Sequence, residues 1–95
     1  MASKRQLKKE INMVIMDLAG EYLLMRSLVP GVDAEKADAV MYKIIDIRNE
    51  FIRRVGANGG KDPKLVAAYY KKLRSDFCQR VDEVLSDFEA LTPKD

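Results

Sequence analysis

Two interruptions constrain this 95-residue chain more than anything else in it: Val29-Pro30-Gly31, and Gly56-Ala57-Asn58-Gly59-Gly60 followed by Asp62-Pro63. Proline and glycine break helices, so three long stretches remain in which apolar residues return every three or four positions. The pattern predicts helices over about 4–28, 34–55 and 63–91. Ser3, Asp33 and Asp62 stand where they can cap them, and Pro63 takes the first position of the third, where its missing N–H is no loss. No strand-like alternation competes, and there is no internal repeat. Helices this long with short connections lie antiparallel, so the expected fold is all-α: an up-down-up three-helix bundle, one helical domain over residues 1–95.

The second and third segments are ordinary amphipathic helices. Ala37, Val40, Met41, Ile44, Ile47, Phe51 and Val55 share one face of the second, and Val66, Tyr70, Leu73, Phe77, Val81, Val84, Phe88 and Leu91 one face of the third. The first is different. Its apolar positions from Met13 to Met25 cover roughly 200° of the helix, against about 100° for a helix with a single packed face. Even the remaining sector, which holds Glu10, Asp17, Gly20 and Glu21, is interrupted by Met13, Leu24 and Leu28. Two neighbours from the same chain cannot cover so much surface, and a chain of this size buries barely enough apolar area to be stable alone. A second copy is the simplest cover, giving a two-fold homodimer of six helices with Met13, Met16, Leu24 and Leu28 at its interface. The alternative is a monomer with a few exposed apolar side chains.

A membrane span is excluded by charge. The run from Ile11 to Val29 is long enough, but it carries Asp17, Glu21 and Arg26, and each charge near a bilayer centre costs about 2.5–3.5 kcal/mol. The single cysteine, Cys78, cannot form an internal disulfide, and the first ten residues hold no apolar signal core, so the expected location is cytoplasmic.

Asp17 and Glu21 lie four residues apart on one helical face, with Glu10 in line. They are either the wet edge of a mostly buried helix or a place where a cation or a basic partner group binds. Carboxylate metal sites in bundles normally add histidine, which this chain lacks, and no metal or other cofactor is expected. Arg48 is the sharper anomaly, flanked by Met41, Ile45, Ile52 and Val55. A buried guanidinium needs a partner, so it either reaches Asp17, Glu10 or the Tyr70 hydroxyl, within the chain or across the dimer, or lays its stem on the core and extends its head to water. Cys78 has no histidine to activate it and reads as an inert thiol rather than a nucleophile. Gly56 to Gly60 lacks the Gly-Lys-Ser/Thr ending of a phosphate loop, although Lys61 beside the start of the third helix offers a weak anion site. Tyr22, Tyr42, Tyr69 and Tyr70 fall at packing positions and form no stacking platform.

The net charge of +2 conceals a strong asymmetry. Up-down-up topology gathers Lys4, Arg5, Lys8, Lys9, Arg48, Arg53, Arg54, Lys61, Lys64, Lys71, Lys72 and Arg74 at one end against Glu10, Glu50 and Asp62, a formal +9, and leaves −7 for the remainder. Such an end suits phosphates, or the acidic end of another copy, which favours antiparallel pairing of subunits. No helix-turn-helix spacing or arginine-rich arm accompanies it.

The opening Ser3-Lys4-Arg5-Gln6-Leu7-Lys8-Lys9-Glu10-Ile11-Asn12, with the Val29-Pro30-Gly31 break and the helical remainder, resembles a family of short uncharacterised all-helical proteins from Bacteroidetes. The resemblance implies a helical bundle and carries over no activity and no functional residue. The functional expectation is therefore a non-enzymatic, homodimeric protein-protein interaction module, with an unidentified protein partner left open. The alternative is a nucleic-acid-associated factor that binds phosphates through the basic end. An enzyme ranks third, because acid–base chemistry would fall to carboxylates, lysines or tyrosines with no pocket motif around them.

Overall fold

The computed structural model describes residues 4–57 and 62–92 and is a three-helix bundle, with no strand among those residues. Helix α1 spans Lys4–Leu28, α2 Ala34–Gly56 and α3 Pro63–Leu91. The boundaries follow from local chemistry. After Leu28 the chain turns through Gly31 at φ 82°, a left-handed conformation that glycine adopts without a Cβ clash. Asp33 then caps α2, its carboxylate accepting from the N–H groups of Glu35 at 3.0 Å and Lys36 at 3.3 Å. Asp62 does the same for α3 through the Lys64 N–H at 2.9 Å. The expected Ser3 cap lies outside the described residues, as does Lys61 with its suggested anion site.

Cross-helix contacts define the topology. Asp38 near the start of α2 meets Tyr22 and Arg26 near the end of α1, so those two helices run antiparallel. Arg54 with Asp76, Glu50 with Arg80, and Lys43 with Asp87 run in opposite sequence order along α2 and α3, so this pair is antiparallel too. Glu10 meets Arg74, which sets α1 parallel to α3. The result is an up-down-up rod with Cα extents of 53 × 19 × 18 Å.

Within the chain α2 is the middle helix, packed closely on both neighbours. Ile44, Ile47, Phe51 and Val55 are completely buried, and the Phe51 ring meets Phe77 edge-on at 5.3 Å. Helix α1 contributes Leu7, Ile11, Ile15, Leu18 and Met25 to this core, and α3 contributes Leu73, Val84 and Phe88. Helices α1 and α3 approach each other less closely, leaving a shallow groove floored by Leu18, Met25 and Phe88. No polar or charged residue is buried among those described. Two tyrosines close the end of α2 from outside it: Tyr69 donates to the Arg54 carbonyl at 2.7 Å and Tyr70 to that of Val55 at 3.1 Å. The last carbonyls of a helix have no partner within it, and here α3 supplies one.

Candidate interaction surface

The apolar surface that the bundle leaves uncovered is concentrated on α1. Met13, Met16, Leu23, Leu24 and Leu28 are exposed, from 53% at Leu24 to 73% at Met16. The reason is helical phase. At about 100° per residue, Leu7, Ile11, Leu18 and Met25 point one way into the core, whereas Met13, Met16, Gly20, Leu23, Leu24 and Ser27 fall within an arc of about 100° on the opposite side. No charged residue enters that arc between Met13 and Leu28. Its middle is Gly20, and a Cβ placed there would meet nothing within 4 Å. Met16, Gly20, Leu23, Leu24, Ser27 and Leu28 line an open depression, with Asp17 and Glu21 at its edge. By the same phase argument, the flank of α2 that carries Asp38 toward α1 also carries the exposed Tyr42 and Ile45. Leu23 completes the surface and was absent from the four interface positions expected.

Asp17 and Glu21 turn toward α3 rather than outward, and Glu89 joins them around the groove between the helices. Both are exposed and form no ion pair among the described residues. Nor does any group of three or more carboxylate, cysteine or histidine side chains there have the proximity to hold a metal ion.

Of the two readings of Arg48, a buried pair within the chain is not what the structure shows, and the head extended to water is the arrangement it adopts. Arg48 is exposed, and its Nη1 donates to the neighbouring Asn49 side chain at 3.2 Å. It stands about 60° from the centre of the buried arc of α2, on the flank with Met41, Ile45 and Ile52, so its long side chain reaches water. Its suggested partners are elsewhere: Glu10 accepts from Arg74 at 3.4 Å, Tyr70 caps α2, and Asp17 lines the groove.

Side-chain pairing redraws the basic end without changing its formal charge. Asp76, assigned to the acidic remainder on sequence order, sits against Arg54 and Lys72 at 2.9 Å from each, and Arg80, from the same remainder, meets Glu50 at 2.9 Å, so the formal +9 stands. Burial works to lower the Arg54 pKa, but its bonds to Asp76, Tyr69 and Glu50 outweigh that and raise it. Asp76 is held below the ordinary carboxylate value, first by Arg54 and then by Lys72. Lys4, Arg5, Lys8, Lys9, Arg53, Lys64 and Lys71 form no ion pair among the described residues. At the opposite end, Arg26 and the Tyr22 hydroxyl both bond Asp38 Oδ1, at 3.0 and 2.7 Å. These bonds hold the Asp38 carboxyl low, Arg26 contributing most, and the same carboxylate raises the Tyr22 hydroxyl above its usual value. Cys78 is exposed on α3.

No helix among the described residues is long and apolar enough to cross a membrane. Comparison with protein-family models, with curated proteins and with solved structures returns no match to this chain.

Proposed function

We propose that this chain is a non-enzymatic helical interaction module that pairs with a second copy of itself through the outer face of α1. The observation that carries the reading is the uncharged face from Met13 to Leu28, diametrically opposite the core-facing stripe of the same helix. A soluble helix with one packed face normally turns charge toward water on the other. Here the charges sit to either side.

Energetics favour a modest, reversible dimer. Fully burying a leucine or methionine contributes about 1.5–3 kcal/mol, so covering the exposed portion of ten such side chains, five per copy, yields roughly 10–19 kcal/mol before association costs of about 4–15 kcal/mol. Sedimentation equilibrium tests the reading directly: a concentration-dependent rise toward twice the 10.8 kDa chain mass supports it. A single 10.8 kDa species up to about 100 μM overturns it.

The seven cations near the N-terminus of α1 and the start of α3 that form no ion pair among the described residues support a second reading, phosphate binding by the basic end. Filter retention of nucleic acid at low salt that is lost at high salt would favour it, and no retention at low salt would dismiss it.

A further inference from the structure

We infer that the two copies cross antiparallel, with Gly20 on the two-fold axis. This rests on the self-pairing of the α1 outer face and adds its direction and register.

Charge along the face selects the direction. N-terminal to Met13 the same arc continues through Lys9 and Arg5, both exposed and without ion pairs among the described residues. Lys9 lies within about 10° of the centre of the face. Parallel pairing would set Lys9 against its own copy and Arg5 against its own, and like charges placed directly opposite are destabilising. In the antiparallel arrangement, residue i of one copy lies level with residue 40 − i of the other. That relation ends with α1 at Leu28, so Lys9 and Arg5 extend past the end of the other copy's α1, toward the α1–α2 turn and the first turn of α2, which carry Asp33 and Glu35. Those two acids are exposed and form no ion pair among the described residues, and Asp33 accepts from the backbone N–H groups of Glu35 and Lys36. The basic end of each bundle thus meets the acidic end of the other.

The apolar segment selects the register. Met13 to Leu28 has its midpoint between Gly20 and Glu21, so crossing at Gly20 leaves neither half of the face uncovered. The crossing point then carries the one residue of the face without a side chain, with open space above it. Met16 falls level with Leu24 of the other copy, and the bulky Met13 with the small Ser27. Asp17 falls level with Leu23, about 9 Å along the axis from the position of the other Asp17, so the acidic edges do not coincide.

Engineered cysteines distinguish the arrangements. In a Cys78→Ser background, which removes the exposed native thiol, Gly20→Cys, Met13→Cys and Ser27→Cys are oxidised one at a time and the disulfide-linked fraction is read on a non-reducing gel. Helix axes about 9–10 Å apart with Cα radii of about 2.3 Å bring facing Cα atoms to about 4.4–5.4 Å, within the span of a disulfide. Gly20→Cys is expected to link to itself at least about tenfold more than Met13→Cys or Ser27→Cys, whose own copies lie about 21 Å away along the axis. Mixing Met13→Cys with Ser27→Cys chains is expected to produce a linked heterodimer. Equal self-linking at all three positions would establish parallel pairing, overturning this inference while the self-pairing face survives. If the chain sediments as a dimer and none of these combinations links, the face itself is wrong. If it sediments only as a monomer, both readings fall. All three positions are solvent-exposed or half-exposed, and an unchanged helical circular dichroism spectrum checks that each variant folds.

Discussion

Met16→Glu is the most direct single perturbation of the α1 face. Met16 is 73% exposed, the most open of the large apolar side chains on α1, so the isolated bundle loses little when it is replaced. Surface substitutions of this kind usually change stability by no more than about 0.5 kcal/mol. Helical electrostatics are equally undemanding, because positions three and four residues away are Asn12, Met13, Ala19 and Gly20, none of them charged. In the dimer the same residue lies one turn from the crossing point. Burying the exposed three-quarters of a methionine contributes about 1–2 kcal/mol, and two copies lose it together, so the dissociation constant rises by between about 30-fold and 1000-fold before any carboxylate desolvation is added. Sedimentation equilibrium on the variant measures this, with Ala68→Glu on α3 as a control of equal charge change at an exposed position. The reasoning is refuted if the two variants dimerise within about threefold of each other, because the apolar contribution would then be negligible. It is refuted equally if Met16→Glu unfolds more readily in urea by more than about 1 kcal/mol, because Met16 would then belong to the monomer core.

Phe51→Ala removes a completely buried ring from the middle helix, together with its edge contact to Phe77 and the Arg54 guanidinium 4.8 Å above it. The expected loss is about 3–5 kcal/mol in urea denaturation, enough to unfold much of a domain this small. Gly31→Ala forces a Cβ into a left-handed backbone at φ 82° and is expected to cost about 1–2 kcal/mol in the same assay, with no effect on pairing by the α1 face. Acid should weaken the fold through Asp38 and Asp76, whose folded pKa values lie below the unfolded 3.8. Their contribution is complete above that unfolded value and disappears as pH falls from it through the lower folded values. Asp38→Asn should therefore flatten the stability profile below about pH 4 while leaving its shape near neutrality unchanged, as pH-dependent urea midpoints would report.

The parts of the fold legible in the sequence are those set by neighbours in the chain. Pro30 and Gly31 end α1 wherever α1 points, and Asp33 and Asp62 satisfy N–H groups two or three residues ahead. Helix ends therefore need no tertiary information. The core stripes of α2 and α3 were equally legible, because period 3.6 fixes which side chains share a face. Ion pairs between helices obey no such rule. Whether Asp76 lies beside Arg54, or Arg80 beside Glu50, depends on axial stagger and on a few tens of degrees of rotation, and counting residues back through a turn recovers neither.

Arg48 and the α1 face show the same limit from opposite sides. Sequence neighbours alone made Arg48 look enclosed, because Met41, Ile45 and Ile52 surround it on the helical surface. The buried arc of α2 lies toward Ile44, Ile47 and Phe51, and that flank, Arg48 included, is left partly open. On α1 an apolar excess of about 200° was visible, but core-facing and outward residues merged into one count. Once Leu7, Ile11, Leu18 and Met25 define the inward direction, Leu23 joins Met13, Met16 and Leu24 on the outer side, while Asp17 and Glu21 swing toward α3. The acids then cease to interrupt the outer face and become its border. An uncharged strip bordered by carboxylates on one side and continued by Arg5 and Lys9 at its N-terminal end has a direction as well as an area. Direction is what an unspecific greasy patch lacks, and in the proposed pairing it is the property by which one copy would recognise the reversed strip of another.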